Sequence, residues 1–214
     1  MLGFFKRGLQ QVAKGASGTL RGDYSGALCT TDAHARFQEA VLNGRCFYAM
    51  TAAAGVAPGT AASTTSAFTL YNPIGSAVML AVWALSIGRV SGTIGAGYIA
   101  WMFDPKQPGA APPTGTAIIP RNALLSGAQA QTGQGQPLTT ATLANAPTQI
   151  RVAANTSQEV VGTTAADPFG NLLDPVEGQL IVPPGHALSL QGVAAAGTTP
   201  LVVFSVLYEE IDII

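Results

Sequence analysis

The chain has 214 residues, enough for one sizeable domain or a domain with an appended arm. Only 10% of them are charged, against roughly 25% in ordinary soluble proteins. Long Val/Ile/Leu/Phe runs exclude disorder, and the scarcity of charge does not suit a chain that remains alone in solution.

Alanine, 25 glycines and 14 prolines suit an all-β protein with many turns and a surface of small neutral residues. The net charge of −1 conceals an asymmetry: residues 1–50 carry six basic and three acidic side chains, net +3, and the remainder carries −4. A basic arm on a mildly acidic body suits docking to an acidic surface or to nucleic acid, although no basic patch with interleaved aromatics supports specific nucleic-acid recognition. The opening Met1-Leu2-Gly3-Phe4-Phe5-Lys6-Arg7 does not read as a secretion signal, because its apolar run is short and its charges follow it. The most membrane-like stretch, Ala77 to Ile87, falls well short of the roughly 18 residues a helical span requires. Cys29 and Cys46 permit one disulfide without requiring it.

In chain order, Leu2, Phe5, Leu9, Val12 and Ala13 recur at helical spacing and predict a short amphipathic helix stopped by Gly15. Thr31 or Asp32 caps a second, with Ala33, Phe37, Ala40 and Val41 on one face and Asn43-Gly44 as its stop. Residues 1–44 form the arm and 45–214 the body. From Cys46 to Phe103 the single charge is Arg89, and the strands predicted there are Cys46–Thr51, Ser66–Tyr71, Val78–Val90 and Gly97–Phe103. Asn72-Pro73-Ile74-Gly75-Ser76 is strong turn chemistry, and Trp83 and Trp101 read as core aromatics.

Beyond the proline-rich loop at 105–113, strands are expected at Thr116–Ile119, near Asn122–Leu125 and Pro137–Leu143, then at Gln149–Ala153 and Gln158–Gly162. Thr164 to Pro175 reads as a turn-rich connection. A closing hairpin follows, made of Gln179–Val182, a Pro183-Pro184-Gly185 corner and Ala187–Gln191. The last strand, Leu201–Tyr208, has no polar alternation, so both its faces are expected to be covered. Its expected central partner is the equally apolar Val78–Ile87. Short strands at this spacing, with no amphipathic helix between them, predict an all-β sandwich of jelly-roll type behind an arm of one or two short helices.

The chemistry-bearing residues are sparse. His34 and His186 leave no His-based triad, and Cys29 with His34 completes no zinc spacing. Gly92-Thr93-Ile94-Gly95-Ala96-Gly97 lacks the Lys-Ser/Thr and the following helix of a phosphate loop, so it reads as a turn. Asp167, Asn171, Asp174 and Glu177 match no calcium motif and read as turn formers. Asn155-Thr156-Ser157 meets the glycosylation pattern, a common chance match. No catalytic, cofactor or metal residue is assigned.

The series Leu70-Tyr71-Asn72-Pro73-Ile74-Gly75-Ser76, Val90-Ser91-Gly92-Thr93-Ile94-Gly95-Ala96-Gly97, Pro184-Gly185-His186-Ala187-Leu188-Ser189-Leu190-Gln191-Gly192 and the closing Pro200–Glu210 resembles structural proteins of tailed bacteriophages. The resemblance covers most of residues 45–210 and rests on turn-and-strand signatures. It implies a virion component such as a capsid decoration (cement) protein, a homo-oligomer with a trimer favoured, gripping capsid subunits by a terminal arm. Phe4, Phe5 and Leu9 would be the arm's apolar contacts, and Lys6 and Arg7 its steering charges. A tail or connector component and a host-surface carbohydrate binder are the alternatives. The latter requires Trp101 or Tyr98 on an open groove.

Overall fold

The structure, a computed structural model, describes residues 37–105, 111–125, 133–156, 159–161, 164–166, 172–195 and 197–213. The chain divides into two compact units, Met1–Glu39 and Ala40–Ile214. The elements are α1 (Gln38–Leu42), β1 (Cys46–Met50), β2 (Thr65–Tyr71), β3 (Val78–Ser91), β4 (Tyr98–Asp104), β5 (Thr114–Ala117), β6 (Arg121–Asn122) and β7 (Gln136–Thr142). They continue with β8 (Thr148–Asn155), β9 (Glu159–Val161), β10 (Thr164–Ala166), β11 (Leu172–Asp174), β12 (Leu180–Val182), β13 (Ala187–Val193) and β14 (Leu201–Asp212). α1 stops where Gly44 takes a positive φ of 71° and donates to the Val41 carbonyl at 2.9 Å.

Two six-stranded antiparallel sheets carry the body, an all-β arrangement of sandwich type. Sheet I runs β11-β3-β14-β1-β6, with β12 also on β3; sheet II runs β5-β7-β2-β13-β4-β8. Among the described residues, β9 and β10 pair only with each other. One core joins the sheets: Leu80, Leu85, Ile87, Phe204, Val206 and Tyr208 from sheet I cluster with Phe68, Leu70, Ile99, Trp101 and Leu190 from sheet II. Burying each such side chain contributes roughly 1.5–3 kcal/mol.

The expected pairing of the two long apolar strands is present: β3 and β14 run antiparallel from Val78↔Asp212 to Ser91↔Leu201. Their register shifts between Leu207↔Ala84 and Tyr208↔Val82, which leaves Trp83 as an extra residue in a β-bulge. Residues buried toward the core therefore change parity, from Leu80 and Val82 to Leu85 and Ile87. Trp83 falls at this change and is half-buried, whereas Trp101 is fully buried. The reading of both tryptophans as core residues holds only for Trp101.

Two further expectations are corrected. The Pro183-Pro184-Gly185 corner does not close a hairpin, because β12 pairs with β3 in sheet I and β13 with β2 and β4 in sheet II. Proline and glycine set a sharp local turn, but the sheet that receives the next strand is decided by which apolar face needs cover. Residues 164–175 are also more than a connection, since β10 and β11 lie there.

The turn at 72–76 likewise passes from β2 in sheet II to β3 in sheet I, and Asn72 ties the two corners together. Its backbone N–H donates to the His186 carbonyl at 3.0 Å, and its carbonyl accepts from Gly185 at 2.7 Å. Its side-chain amide donates to Val78 and Val182 carbonyls at 2.8 and 2.9 Å, while Ser76 Oγ donates to its oxygen. At another crossing Thr93 N–H donates to the Thr198 carbonyl, and Thr198 N–H to Thr93 Oγ1, both at 3.1 Å. Gly92 is required there: its φ is +74°, and a Cβ would lie 2.2 Å from the Thr199 carbonyl oxygen.

Glu210 is a buried carboxyl whose Oε1 accepts from Gly135 N–H at 2.8 Å. Burial pushes its pKa up, the Gly135 and Gln134 N–H groups pull it back, and Asp212 raises it further. A raised folded pKa stabilises the fold below about pH 4.5, and that stabilisation is lost as pH rises through the folded value. Glu210→Gln keeps an acceptor for Gly135 and removes the buried charge. It is expected to stabilise the protein by about 1 kcal/mol at pH 7 and to lose that advantage below about pH 4.5. Urea midpoints of the variant and the parent at pH 4 and 7 check this. Asp104, also raised by burial, cancels in the comparison.

Candidate functional site

The most prominent surface feature follows from the strand at Leu201–Tyr208. One face of β14 is fully covered, with Val202, Phe204, Val206 and Tyr208 in the core. Leu201, Val203, Ser205 and Leu207, on the other, are only half-buried. The expectation that both faces are covered is therefore met on one side alone. The cause lies in the layering: sheet II supplies a second layer to the inner face of sheet I.

Register places a set of apolar side chains abreast on the outer face of sheet I. One row runs Leu173–Ser86–Ser205–Met50 across β11, β3, β14 and β1. The next runs Ala84–Leu207–Tyr48–Arg121 across β3, β14, β1 and β6. Beyond the bulge a third contains Ile181, Ala81, Glu209 and Cys46. Met50 is 52% exposed, Leu173 67%, Ile181 51% and Tyr48 45%. Neighbouring rows and strands are about 5–7 Å apart, so the side chains form a continuous surface.

An open groove of ≈ 710 Å³ borders this face at β1. Its floor is Tyr48, Met50 and Ser205, and its far wall is Thr116 to Ile119 with Arg121. That wall exists because β5 belongs to sheet II and β6 to sheet I, so the segment between them crosses from one sheet to the other. Ile118 N–H anchors the crossing by donating to the Pro137 carbonyl at 2.9 Å, and Ile119 is left 67% exposed. Among the described residues the lining offers methyls, hydroxyls, a thioether, one phenol and one guanidinium, and neither a carboxylate nor an imidazole. Such a surface suits apolar contact and gives little purchase for acid–base chemistry.

The charges near the face are at its margins. Glu209 is buried and pairs with Arg45 at 3.1 Å. Cys46 beside it is a free, buried thiol, with its pKa pushed up to about 11 by burial and then by Glu209, against a smaller lowering by Arg45. Arg89 donates to the Gly92 carbonyl at 2.9 Å.

Phe4, Phe5, Lys6, Arg7 and Leu9 lie outside the described residues, as do Cys29, His34, Asp167 and Asn171. Of the remaining oxygen-bearing side chains, Asp174 is engaged by Trp101 and Arg151, and Glu177 occupies a turn with a positive φ of 55°. His186 sits at its corner, with Nδ1 3.1 Å from the Pro184 carbonyl and its ring stacked on Phe103 at 5.5 Å. Tyr98 is half-buried, and its hydroxyl donates to Gln149 at 3.2 Å. The outer-face residues Tyr48, Met50, Leu173 and Ile181 were not singled out by sequence. The signal that finds them is the missing polar alternation of β14, read as an uncovered second face.

Comparison with protein-family models, with curated proteins and with solved structures finds no match for this chain.

Proposed function

We propose that the chain is a non-enzymatic structural protein of a virion, a capsid decoration or cement component that self-associates and grips neighbouring capsid subunits through its arm. The observation that carries this reading is the apolar outer face of sheet I, left open among the described residues of a protein with very few charges. A contiguous face of that kind serves contact between macromolecules. The resemblance of the corner sequences to tailed-phage structural proteins gives the assembly its setting and favours a trimer. No cofactor is assigned, and specific nucleic-acid or membrane binding is not part of the role.

Jelly-roll winding is part of the proposal. Its support is the pairing of early with late strands: β1 with β14, β2 with β13 and β3 with β12. A long antiparallel ribbon rolled into two sheets produces this kind of pairing. The carbohydrate-binding alternative needs Trp101 or Tyr98 on an open groove; Trp101 is fully buried, and Tyr98 is half-buried with its hydroxyl on Gln149. A tail or connector position is the same structural role elsewhere in the particle.

The test is deletion of residues 1–14 followed by measurement of incorporation into particles. Burial of Phe5 and Leu9 alone is worth roughly 3–6 kcal/mol, so occupancy at limiting concentration is expected to fall by more than about tenfold. Undiminished occupancy would overturn the role of the arm. Absence of the full chain from particles would overturn the virion assignment.

A further inference from the structure

We infer that the outer face of sheet I, with its bordering groove, is the surface through which the chain binds neighbouring copies of itself. The inference rests on the self-association part of the reading above and assigns it to a place in the fold.

The first argument is one of pattern. In a sheet with one covered face, strands alternate apolar and polar residues. β14 and the first ten residues of β3 do not: Val203 and Leu207 point outward on β14, opposite Gly88 and Ala84 of β3. Tyr48 and Met50 extend the same surface on β1, and Leu173 and Ile181 extend it on β11 and β12. A sequence that keeps both faces of its central strands apolar is matched to cover on both sides.

The second argument is one of size. The exposed fractions of these residues and of Ile119 place roughly 600 Å² of apolar surface on one side, at the upper limit of the largest patch on a typical monomer. That is near the ~800 Å² each partner contributes to a standard interface, so with its polar rim the face is large enough for a stable contact.

The third argument is electrostatic, and it selects the occupant. A second copy brings the same neutral stretch, the row Leu173, Ser86, Ser205 and Met50 beside Ala84, Leu207 and Tyr48, and so buries no unpaired charge there. Glu209 is already paired with Arg45 within the chain, and Arg121 stands at the β6 margin where a polar rim belongs. An acidic or basic partner would find nothing to answer its charge at the centre. Two or three copies meeting through this face satisfy the argument equally.

The test uses the full chain and the double substitution Met50→Lys, Leu173→Lys. Both sites are more than half exposed, so the folded monomer should survive, as near-ultraviolet circular dichroism will report. Sedimentation equilibrium is expected to give an oligomer for the parent chain, with a dissociation constant raised more than about 100-fold in the variant. The control is Ile150→Lys, Val152→Lys, which adds the same charge at comparably exposed positions of β8 in sheet II; it is expected to associate like the parent. Should the first pair fail to fold, Ser205→Arg at the centre of the same row carries the test. An oligomeric parent whose association neither sheet I variant weakens would overturn the assignment of this face and leave self-association standing. A parent that remains monomeric at high concentration would overturn both.

Discussion

Asn72→Ala is expected to lower the unfolding free energy by about 3–5 kcal/mol, a large fraction of what a domain of this kind possesses. Asn72 is fully buried, and its amide supplies both hydrogens to carbonyls beside the two corners, that of Val78, which opens β3 after one, and that of Val182, which ends β12 before the other. Truncation leaves a void in the core and takes a donor from each of two buried carbonyls, where an unsatisfied buried group costs about 1–3 kcal/mol. It also strips Ser76 Oγ of an acceptor, although that hydroxyl retains the Val78 carbonyl at 3.1 Å. Asn72→Asp preserves the shape but turns the donor toward those carbonyls into an acceptor, so its loss should be at least as large. Urea unfolding reads the effect as a lower midpoint at unchanged slope. A loss below about 1 kcal/mol would show that the two corners hold together without Asn72.

Asp174→Ala is expected to cost about 2–4 kcal/mol, for a different reason. Asp174 lies on β11 of sheet I and reaches two residues of sheet II, accepting from Trp101 Nε1 at 2.9 Å and pairing with Arg151. Trp101 and Arg151 are themselves register partners on β4 and β8, so one carboxylate fastens a cross-strand pair to the opposite sheet. Trp101 has no route to water, and its N–H would be left orphaned. Arg151 is about one-third exposed (32%) and can turn to solvent, which keeps the total below that of a fully buried pair. The measurement is a double-mutant cycle with Trp101→Phe, which removes the orphaned donor. Asp174→Ala should cost roughly 1–2 kcal/mol less in that background. An identical cost in both would mean that the Trp101 bond contributes nothing.

Both predictions concern contacts that sequence does not display. The pairing of β3 with β14 was legible because two long uncharged runs can cover one another. The turns at Asn72–Ser76 and Pro183–Gly185 were legible from their prolines and glycines. That each turn changes sheets was not, because turn chemistry fixes a local bend and leaves the destination to the apolar faces. Val182 lies 110 residues from Asn72, a separation at which no local pattern operates. β11 escaped because Leu172-Leu173-Asp174 is too short to show a period among turn formers. The bulge at Trp83 escaped because one inserted residue reverses the parity on which burial is read. As for the site, the apolar character of β14 was plain, but it was assigned to covered faces within one chain. Only the layering reveals that one of those faces is open.

The most direct measurement is the rate at which Met50 is oxidised by a mild oxidant as the concentration of the unsubstituted chain is raised. Met50 is 52% exposed in the single chain and lies at the meeting point of the outer face and the groove. If this face is where copies meet, Met50 oxidation slows by more than about tenfold over the concentration range in which the sedimenting mass rises. If the mass rises while Met50 reacts as quickly as in the dilute chain, the copies meet elsewhere and the assigned interface is wrong.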